Sequence, residues 1–153
     1  ITKNVDYLHQ KAGSKNVIEI HGNIHKLRCI SCNARFDRDK FKIKELPPLC
    51  PICGGLIKPD VVYFGEPIPR DMLNASLLEV NKCDCMLVIG TSAVVYPAAG
   101  FPIMAKRNGA FLIEVNPYDT PISHICDVVL RGAAGKVLPL LVDEVKRVLK
   151  GRG

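Results

Sequence analysis

The chain contains no uninterrupted apolar run near the ~18 residues that a membrane span requires. It also lacks a charged and then apolar leader ahead of a cleavage site. These absences argue against membrane insertion and secretion, and they predict a cytoplasmic protein with no membrane partner. Its 153 residues, 48% of them hydrophobic, suffice for one domain with a core, or for a domain with a small metal-stabilised module.

Aromatic residues are scarce, at 6% of the chain, and this bears on the net charge of +6. Most of the excess charge lies at 26–58, where eight lysines and arginines stand against three acidic residues. A surface that stacks on nucleic acid interleaves such cations with aromatic side chains. The segment shows no such interleaving, so a solvated lysine-rich surface is favoured over direct nucleic-acid binding.

No G-x-G-x-x-G pattern occurs, and GAAGK at 132–136 lacks the spacing and the final Ser or Thr of a phosphate-binding P-loop. The second half nevertheless contains three apolar runs separated by helix-length segments. The runs predict strands at 85–90, 110–116 and 127–130. Strands without polar alternation are typical of a parallel sheet covered on both faces. We therefore predict an α/β fold that is part of a doubly wound, Rossmann-like parallel sheet.

Helical spacing of apolar residues predicts three helices, at 71–82, 98–109 and 137–150. In the last helix one face carries Leu138, Leu141, Val145 and Leu149. Two further strands are predicted in the first half, at 17–20 and 61–64. Because ligands of doubly wound sheets bind beyond the carboxyl ends of the strands, we expect a site from Gly90 and from Asn116 onward.

Seven cysteines are present, an odd number, and four of them form two Cys-x-x-C pairs seventeen residues apart. This spacing is typical of paired zinc knuckles rather than of a disulfide framework. Four thiolates complete a closed tetrahedral site, so we predict one structural zinc ion, with iron in the same cage as the alternative. The predicted ligands are Cys29, Cys32, Cys50 and Cys53. The other three, Cys83, Cys85 and Cys126, are expected to be small core residues.

The metal-binding segment interrupts the apolar pattern and predicts a domain organisation. We expect a small zinc module at 23–58, inserted into a Rossmann-like domain formed by 1–22 and 59–153. His21 follows the apolar VIEI and ends the first part of that domain. With four cysteines on the metal, no coordination position is open to this histidine. Two interpretations of His21 remain: a residue at the end of a strand, and a catalytic base. Composition alone favours the first.

Five segments, in order along the chain, resemble the sirtuin family of NAD-dependent protein lysine deacylases. They are TKNVDYLHQKAG (2–13), VIEIHGNIHKLRCISC (17–32), CPICGGLIKPDVVYFGEPIP (50–69), LVIGTSAVVYPAAGFP (87–102) and LIEVN (112–116). The resemblance covers essentially the whole chain. The motifs VVYFGE and GTSAVVYPAA are most similar to those of the subgroup that includes desuccinylases and many prokaryotic members.

The resemblance implies a deacylase of protein lysine, a deacetylase or a desuccinylase, that consumes NAD and releases nicotinamide and O-acyl-ADP-ribose. In the family, the acyl-lysine carbonyl oxygen attacks the nicotinamide ribose carbon, and nicotinamide leaves. The histidine of the His-Gly motif, His21 here, is the general base that deprotonates a ribose hydroxyl. An imidazole with a near-neutral pKa suits this proton transfer.

The same resemblance assigns the residues of the cofactor and substrate sites. Those expected to contact NAD are Lys3, Asn4, Asp6, Gly90, Thr91, Ser92, Asn116 and Ala134. Those expected to form the two walls of a cleft for an acyl-lysine peptide are Val62, Tyr63, Phe64, Gly65 and Glu66, and Val94, Val95 and Tyr96. A peptide between such walls would bind through its backbone. Without the resemblance, ordinary core packing is the favoured interpretation of these apolar residues.

One departure from the family pattern concerns the nicotinamide pocket. Lys3 stands where the family has Gln, and a charged lysine offers three donors and no acceptor. A cation there fits poorly beside a cationic nicotinamide group, so a catalytically dead protein that still binds NAD or acyl peptide is one alternative. A zinc-ribbon module that binds nucleic acid is the other.

A second departure is an absence. The family carries a glycine-rich Gly-Ala-Gly-x-Ser turn and the first part of the sheet before the equivalent of Ile1, and neither is found in this sequence. We therefore expect this chain to be the C-terminal portion of a sirtuin and to be inactive alone. The acyl preference is not readable, because in the desuccinylase subgroup it depends on a Tyr and an Arg that would precede Ile1.

Overall fold

The structure, a computed structural model, describes residues 1–151. It forms two compact units, the first from Ile1 to Ser76 and the second from Leu77 onward. Each unit is built around a three-stranded sheet. Among the described residues, no helix is both long and apolar enough to cross a membrane.

The first unit contains an antiparallel sheet in the order β2-β1-β3. Its elements are α1 (Leu8–Lys11), β1 (Gly22–Cys29), β2 (Arg35–Asp37) and β3 (Ile57–Val61). At one end of the β1–β3 pair Gly22 lies opposite Val61, and at the other end Cys29 lies opposite Ile57. One small cluster of buried residues packs there, consisting of Leu27, Cys29, Cys50 and Ile57.

Both strands predicted in the first half differ from the observed ones. The segment at 17–20 makes only one parallel bridge, between Thr2 and Glu19, and β1 begins after it. The strand predicted at 61–64 shares a single residue with β3. In each case a hydrogen-bonded turn follows the apolar residues and ends the pairing, which an apolar pattern alone does not reveal.

The turn that precedes β1 requires glycine at position 22. Gly22 has a φ of +85°, which L side chains rarely adopt, and a Cβ atom there would lie 1.9 Å from the Asp60 carbonyl oxygen. The backbone N–H of Val62, just after β3, donates to the His21 carbonyl at 2.9 Å. The close approach of these two strands therefore fixes the backbone on both sides of His21.

The second unit contains a parallel sheet in the order β4-β5-β6, as predicted. Its elements are the end of α2 (Arg70–Lys82), β4 (Cys85–Ile89), α3 (Phe101–Arg107), β5 (Phe111–Asn116), β6 (Val128–Arg131) and α4 (Ala134–Lys150), with 3-10 turns at Ala98–Gly100 and Ser123–Ile125. Every helix and strand predicted for this half is present. Gly90 and Asn116 lie at the carboxyl ends of their strands, as expected.

In the described residues of the second unit, one face of the parallel sheet is less covered than the other. In β4, Val88 is buried, whereas its neighbour Leu87, which points to the other face, is 44% exposed. Ile89, on the same face as Leu87, is also exposed. An apolar run identifies a strand, but it does not tell which of its faces meets another layer.

In the last helix and at one cysteine, side chains are likewise more exposed than predicted. Along the predicted apolar face of α4, Leu138 and Leu141 are half-buried, but Val145 and Leu149 are exposed. Cys85, which was expected in the core, is exposed, while the other two unpaired cysteines of this unit are half-buried. Cys85 opens an edge strand, where side chains meet solvent more often than in the middle of a sheet.

We predict that Gly22→Ala destabilises the protein much more than Gly13→Ala does. Both glycines have a positive φ, which by itself costs an L residue about 1–3 kcal/mol. Only at Gly22 would the new methyl group also clash with backbone, because nothing lies within 4 Å of a Cβ at Gly13. Urea unfolding of the two variants measures the difference, and equal losses would contradict the steric argument.

Candidate active site and metal centre

The two Cys-x-x-C pairs converge on one point in the first unit. The four Sγ atoms of Cys29, Cys32, Cys50 and Cys53 all lie within 4.8 Å of one another. The Cys29–Cys53 sulfur distance is 3.5 Å, and the Cys32–Cys50 distance is 3.8 Å. A tetrahedron with zinc–sulfur bonds of about 2.3 Å has edges of about 3.8 Å. The arrangement therefore fits one tetrahedral ion with four thiolates.

Both knuckles have the same backbone construction. Four residues after the first cysteine of each pair, Asn33 and Gly54 adopt a positive φ, and their N–H groups donate to the carbonyls of Cys29 and Cys50. The Cys32 backbone hydrogen-bonds to the Cys29 sulfur and, with smaller contributions from neighbouring hydrogen bonds, lowers the pKa of that thiol to about 6. The Gly55 backbone lowers the pKa of Cys53, but hydrogen bonds from the other three thiols, together with burial, outweigh it and raise that pKa to about 12, so a metal that binds all four as thiolates displaces protons.

His21 lies in the turn between the Thr2–Glu19 bridge and β1, next to the segment that carries Lys3. The Lys3 backbone lies close enough to the imidazole to raise its pKa somewhat. Two larger effects act in the opposite direction: burial, and then the charge of the Lys3 ammonium. Together they hold the pKa of His21 below its ordinary value of 6.5, so the ring is neutral at pH 7.

The buried Glu19 carboxylate hydrogen-bonds to segments that lie before and after His21 in the chain. Glu19 Oε1 accepts hydrogen bonds from Gln10 Nε2 at 2.8 Å and from Asn23 Nδ2 at 2.6 Å. Its Oε2 pairs with Lys26 Nζ at 3.2 Å. Helix α1 and strand β1 are thereby connected through one side chain two residues before His21. Such a charge is stable inside the protein only because it is fully paired.

The other two predicted cofactor residues of the first unit, Asn4 and Asp6, differ in whether their side chains are engaged in local hydrogen bonds. Asp6 Oδ1 accepts the Leu8 N–H at 3.0 Å at the start of α1, so this oxygen is engaged in local structure. Asn4 has its backbone N–H bonded to Thr2 Oγ1 at 3.1 Å, and the residue is exposed. Of the two, Asn4 has the side chain more open to a ligand.

In the second unit, the predicted cofactor residues lie at the ends of neighbouring strands. Asn116 Nδ2 donates to the Thr91 carbonyl at 2.8 Å, and Asn116 Oδ1 accepts the Tyr118 N–H at 3.1 Å. Gly90 turns the chain with a φ of +59°, and Ser92 after it is exposed. The structure therefore brings the Gly-Thr-Ser turn and Asn116 together, with Asn116 largely buried between two loops.

A second buried carboxylate fixes the loop that follows Asn116. Glu114 is 1% exposed, accepts hydrogen bonds from the Thr120 and Ser123 hydroxyls, and pairs with Arg131 at 3.1 Å. Burial alone would raise the pKa of Glu114, but these donors together outweigh it and hold the pKa below the ordinary value. The carboxylate is therefore ionised and holds the loop and β6 to β5.

Ala134, the last predicted cofactor residue, is the first residue of α4. No side chain caps this helix, whose N-cap position is Ala133. The Gly132 N–H approaches the Asn116 carbonyl at 3.4 Å, so the turn lies beside the end of β5. A helix start without a side-chain cap leaves main-chain N–H groups for a polar ligand.

All but one of the apolar residues predicted to line the substrate cleft are exposed, so their interpretation as ordinary core is wrong; Val62 is half-buried. Phe64 is 98% exposed, and Tyr63 and Tyr96 are more than half exposed. Val94 and Val95 are exposed as well. Tyr63 and Phe64 form an exposed apolar surface on the 62–66 loop, and Val94, Val95 and Tyr96 form another on the 94–96 loop. The 62–66 loop belongs to the first unit and the 94–96 loop to the second.

Three charged residues with clear structural roles were not singled out from the sequence: Glu19, Glu114 and Lys58. The two glutamates stand alone inside apolar runs, VIEI and LIEV. A carboxylate in such a run must find partners when it is buried, so this pattern could have flagged both. No comparable signal marks Lys58, because it is one of many lysines in a basic segment.

We predict that Cys32→Ser abolishes zinc binding and strongly lowers the thermal transition, whereas Cys85→Ser changes neither. Both cysteines are exposed, but only Cys32 belongs to the quartet. Metal-binding energy at such sites is folding energy, and the buried cluster here is small. Zinc analysis and a melting curve check this. A Cys32→Ser protein that keeps its zinc and its transition would contradict it.

Comparison with known proteins places these features in one family. The Sir2 family model matches residues 1–97. The NAD-dependent protein deacylase 2 of Pyrobaculum aerophilum is 51% identical over 152 residues, which are 99% of this chain and 61% of that protein. This chain therefore spans less than two thirds of that relative.

Solved structures agree with the sequence matches. A Sir2 homologue in complex with NAD is 47% identical, with a TM-score of 0.86 over 96% of this chain and 57% of that one. A complex of Sir2 with p53 peptide and NAD+ is 36% identical, with a TM-score of 0.81 over 94% of this chain and 61% of that one. The family match over most of the chain, and the identity to relatives over its whole length, show that the chain belongs to the Sir2 family, the sirtuins.

Proposed function

We propose that the protein carrying this chain is an NAD-dependent protein lysine deacylase with His21 as its general base. It consumes NAD to remove an acyl group, acetyl or succinyl, from lysine, and it releases nicotinamide and O-acyl-ADP-ribose. The observation that carries the proposal is the setting of His21. Its backbone is held by the hydrogen bond from the Val62 N–H to the His21 carbonyl at 2.9 Å, and burial with the nearby Lys3 charge lowers the pKa of the ring, as a base at neutral pH requires.

The relatives support this reaction class. The matched protein of Pyrobaculum aerophilum is named an NAD-dependent protein deacylase, and so is that of Aquifex aeolicus, which is 47% identical over all of this chain. Solved relatives contain NAD, a p53 peptide or 2'-O-acetyl-ADP-ribose. Since this chain spans 57–64% of these proteins, the activity is proposed for the complete gene product.

His21 is suited to accept a proton because its two ring nitrogens have different tasks. In the neutral imidazole one ring nitrogen carries the hydrogen. The other nitrogen then carries a lone pair and can take a proton from a substrate hydroxyl. The hydrogen bond from Val62 N–H to the His21 carbonyl, at 2.9 Å, holds the backbone and thereby the direction of the ring.

The residues proposed to hold NAD are polar groups at chain turns, and they fit its polar groups. When bound, NAD supplies the electrophilic ribose carbon and the nicotinamide leaving group. In the first unit the proposed contacts are Lys3, Asn4 and Asp6. In the second unit they are Gly90, Thr91, Ser92, Asn116 and Ala134, where the Asn116 side chain orders the Gly-Thr-Ser turn by its bond to the Thr91 carbonyl.

The acyl-lysine peptide is proposed to bind the exposed loops at 62–66 and 94–96. A peptide that pairs through its backbone accepts varied sequence around the modified lysine. The exposed aromatic side chains of these loops provide apolar contact area. The protein substrate is therefore recognised mainly by the acylated lysine and by the extended shape of its backbone.

Direct binding to nucleic acid is not part of the proposal. Of the eight lysines and arginines at 26–58, five are within ion-pair distance of a carboxylate: Lys26, Arg28, Arg35, Lys40 and Lys58. Cations that are already paired with carboxylates gain less from binding phosphate.

We also propose the domain boundaries predicted from the sequence, which are a zinc module at 23–58 and a Rossmann-like domain formed by 1–22 and 59–153. The proposed location is the cytoplasm.

We predict that His21→Ala lowers deacylation by about 100- to 10,000-fold, the usual contribution of a general base. Acetyl- and succinyl-lysine peptides are incubated with NAD and the complete gene product, and deacylated peptide and nicotinamide are measured. His9→Ala, which changes an exposed histidine of α1, is the matched control and keeps the wild-type rate. No product from folded, zinc-loaded wild-type protein would leave a catalytically dead binding protein as the function.

We predict that the acid limb of kcat/KM against pH lies below pH 6.5 in the wild type and moves to higher pH in Lys3→Gln. The base must be deprotonated, so activity falls as the pH drops through its pKa. The Lys3 charge lowers that pKa, and glutamine removes the charge while the backbone remains. Lys11→Gln, an exposed lysine of α1, is the control. An unshifted limb in Lys3→Gln would contradict the electrostatic coupling.

A further inference from the structure

Lys58 lies in β3, between the second pair of zinc ligands and the substrate loop, which is defined here as residues 62–66. Its side chain is 18% exposed, which is unusual for a lysine. The ammonium group donates to the Val61 carbonyl at 2.7 Å and to Glu66 Oε2 at 2.6 Å. One cation therefore bonds to the residue before the substrate loop and to the last residue of that loop.

The loop itself contributes two more contacts to the same cation and carboxylate. The Tyr63 ring covers the Lys58 ammonium, which lies 4.4 Å from the ring centroid. The Tyr63 N–H approaches Glu66 Oε2 at 3.3 Å, and the Glu66 N–H donates to the Tyr63 carbonyl at 2.9 Å. The loop is thus closed on itself around Lys58.

Glu66 consequently has a different orientation from that expected of a residue in a substrate wall. Its carboxylate faces Lys58 and the Tyr63 backbone, and the hydrogen bond from Lys58 lowers its pKa. Phe64, by contrast, projects from the loop and is 98% exposed. The loop holds its polar groups inward and presents an aromatic side chain outward.

We infer that Lys58 is a positioning residue that fixes the substrate loop through Val61, Tyr63 and Glu66 and thereby sets the affinity for the acyl-lysine peptide. A loop ordered before binding loses less conformational freedom when the peptide arrives. The inference rests on the proposed function, because it assumes that the loop contacts the peptide. Lys58 itself does not touch the reacting atoms.

The kinetic test compares Lys58→Met, Lys58→Arg and Lys40→Met in the complete gene product. Lys58→Met is expected to raise the KM for an acetyl-lysine peptide about tenfold, equivalent to about 1.4 kcal/mol. Its KM for NAD and its kcat stay close to the wild type, because the cofactor residues are untouched. Lys58→Arg restores most of the peptide affinity, and Lys40→Met, which removes an exposed lysine of the same module, has no effect. An unchanged peptide KM, or an equal rise in both KM values, overturns the inference.

A second readout does not depend on catalysis, so it separates this inference from the proposed function. Chymotrypsin is expected to cut after Phe64 several-fold faster in Lys58→Met than in the wild type, with zinc content and thermal transition unchanged. Glu66→Gln, which keeps the size of the side chain and removes its charge, is expected to do the same if Lys58→Met fails to fold. Wild-type cleavage rates in the folded variants overturn the inference, even in a protein that proves to be an active deacylase.

Discussion

The first unit depends on the antiparallel pairing of β1 with β3, because this pair joins the metal centre to the proposed catalytic residue. At one end Cys29 lies opposite Ile57, within the small buried cluster beside the cysteine quartet. At the other end Gly22 lies opposite Val61, next to His21. A closed four-thiolate site offers no position for substrate, so its contribution is mechanical: it fixes the two strands that lie next to the proposed catalytic residue.

Two buried carboxylates repeat one arrangement in the two units. Glu19 stands two residues before His21, and Glu114 stands two residues before Asn116. Each accepts hydrogen bonds or ion pairs from groups on neighbouring segments, and each thereby fixes the turn that follows it in the chain. Functional side chains at strand ends lie in loops, which are mobile unless something holds them. A paired internal charge performs this task at the cost of desolvation, which its partners offset.

The sequence predicted the parts of this structure that local spacing determines. The quartet follows from two Cys-x-x-C pairs, and the parallel sheet follows from apolar runs such as 110–116. Burial was harder to predict, because the exposure of Leu87 depends on which layers cover the sheet. The contacts of Lys58 and Glu66 could not be predicted either, because eight residues separate them and a loop closure brings them together. The site roles themselves came from the resemblance to the sirtuins, and the structure supplies their supporting contacts.

Amide hydrogen exchange of the complete gene product, measured with and without zinc, reports whether the metal centre fixes β1 and β3 beside His21. Zinc removal is expected to abolish protection first in β1 and β3 and then in the 62–66 loop. Protection of β5 in the second unit should change much less. Unchanged protection of β3 and the 62–66 loop in the zinc-free protein would contradict the account, and the metal would then stabilise only its own knuckles.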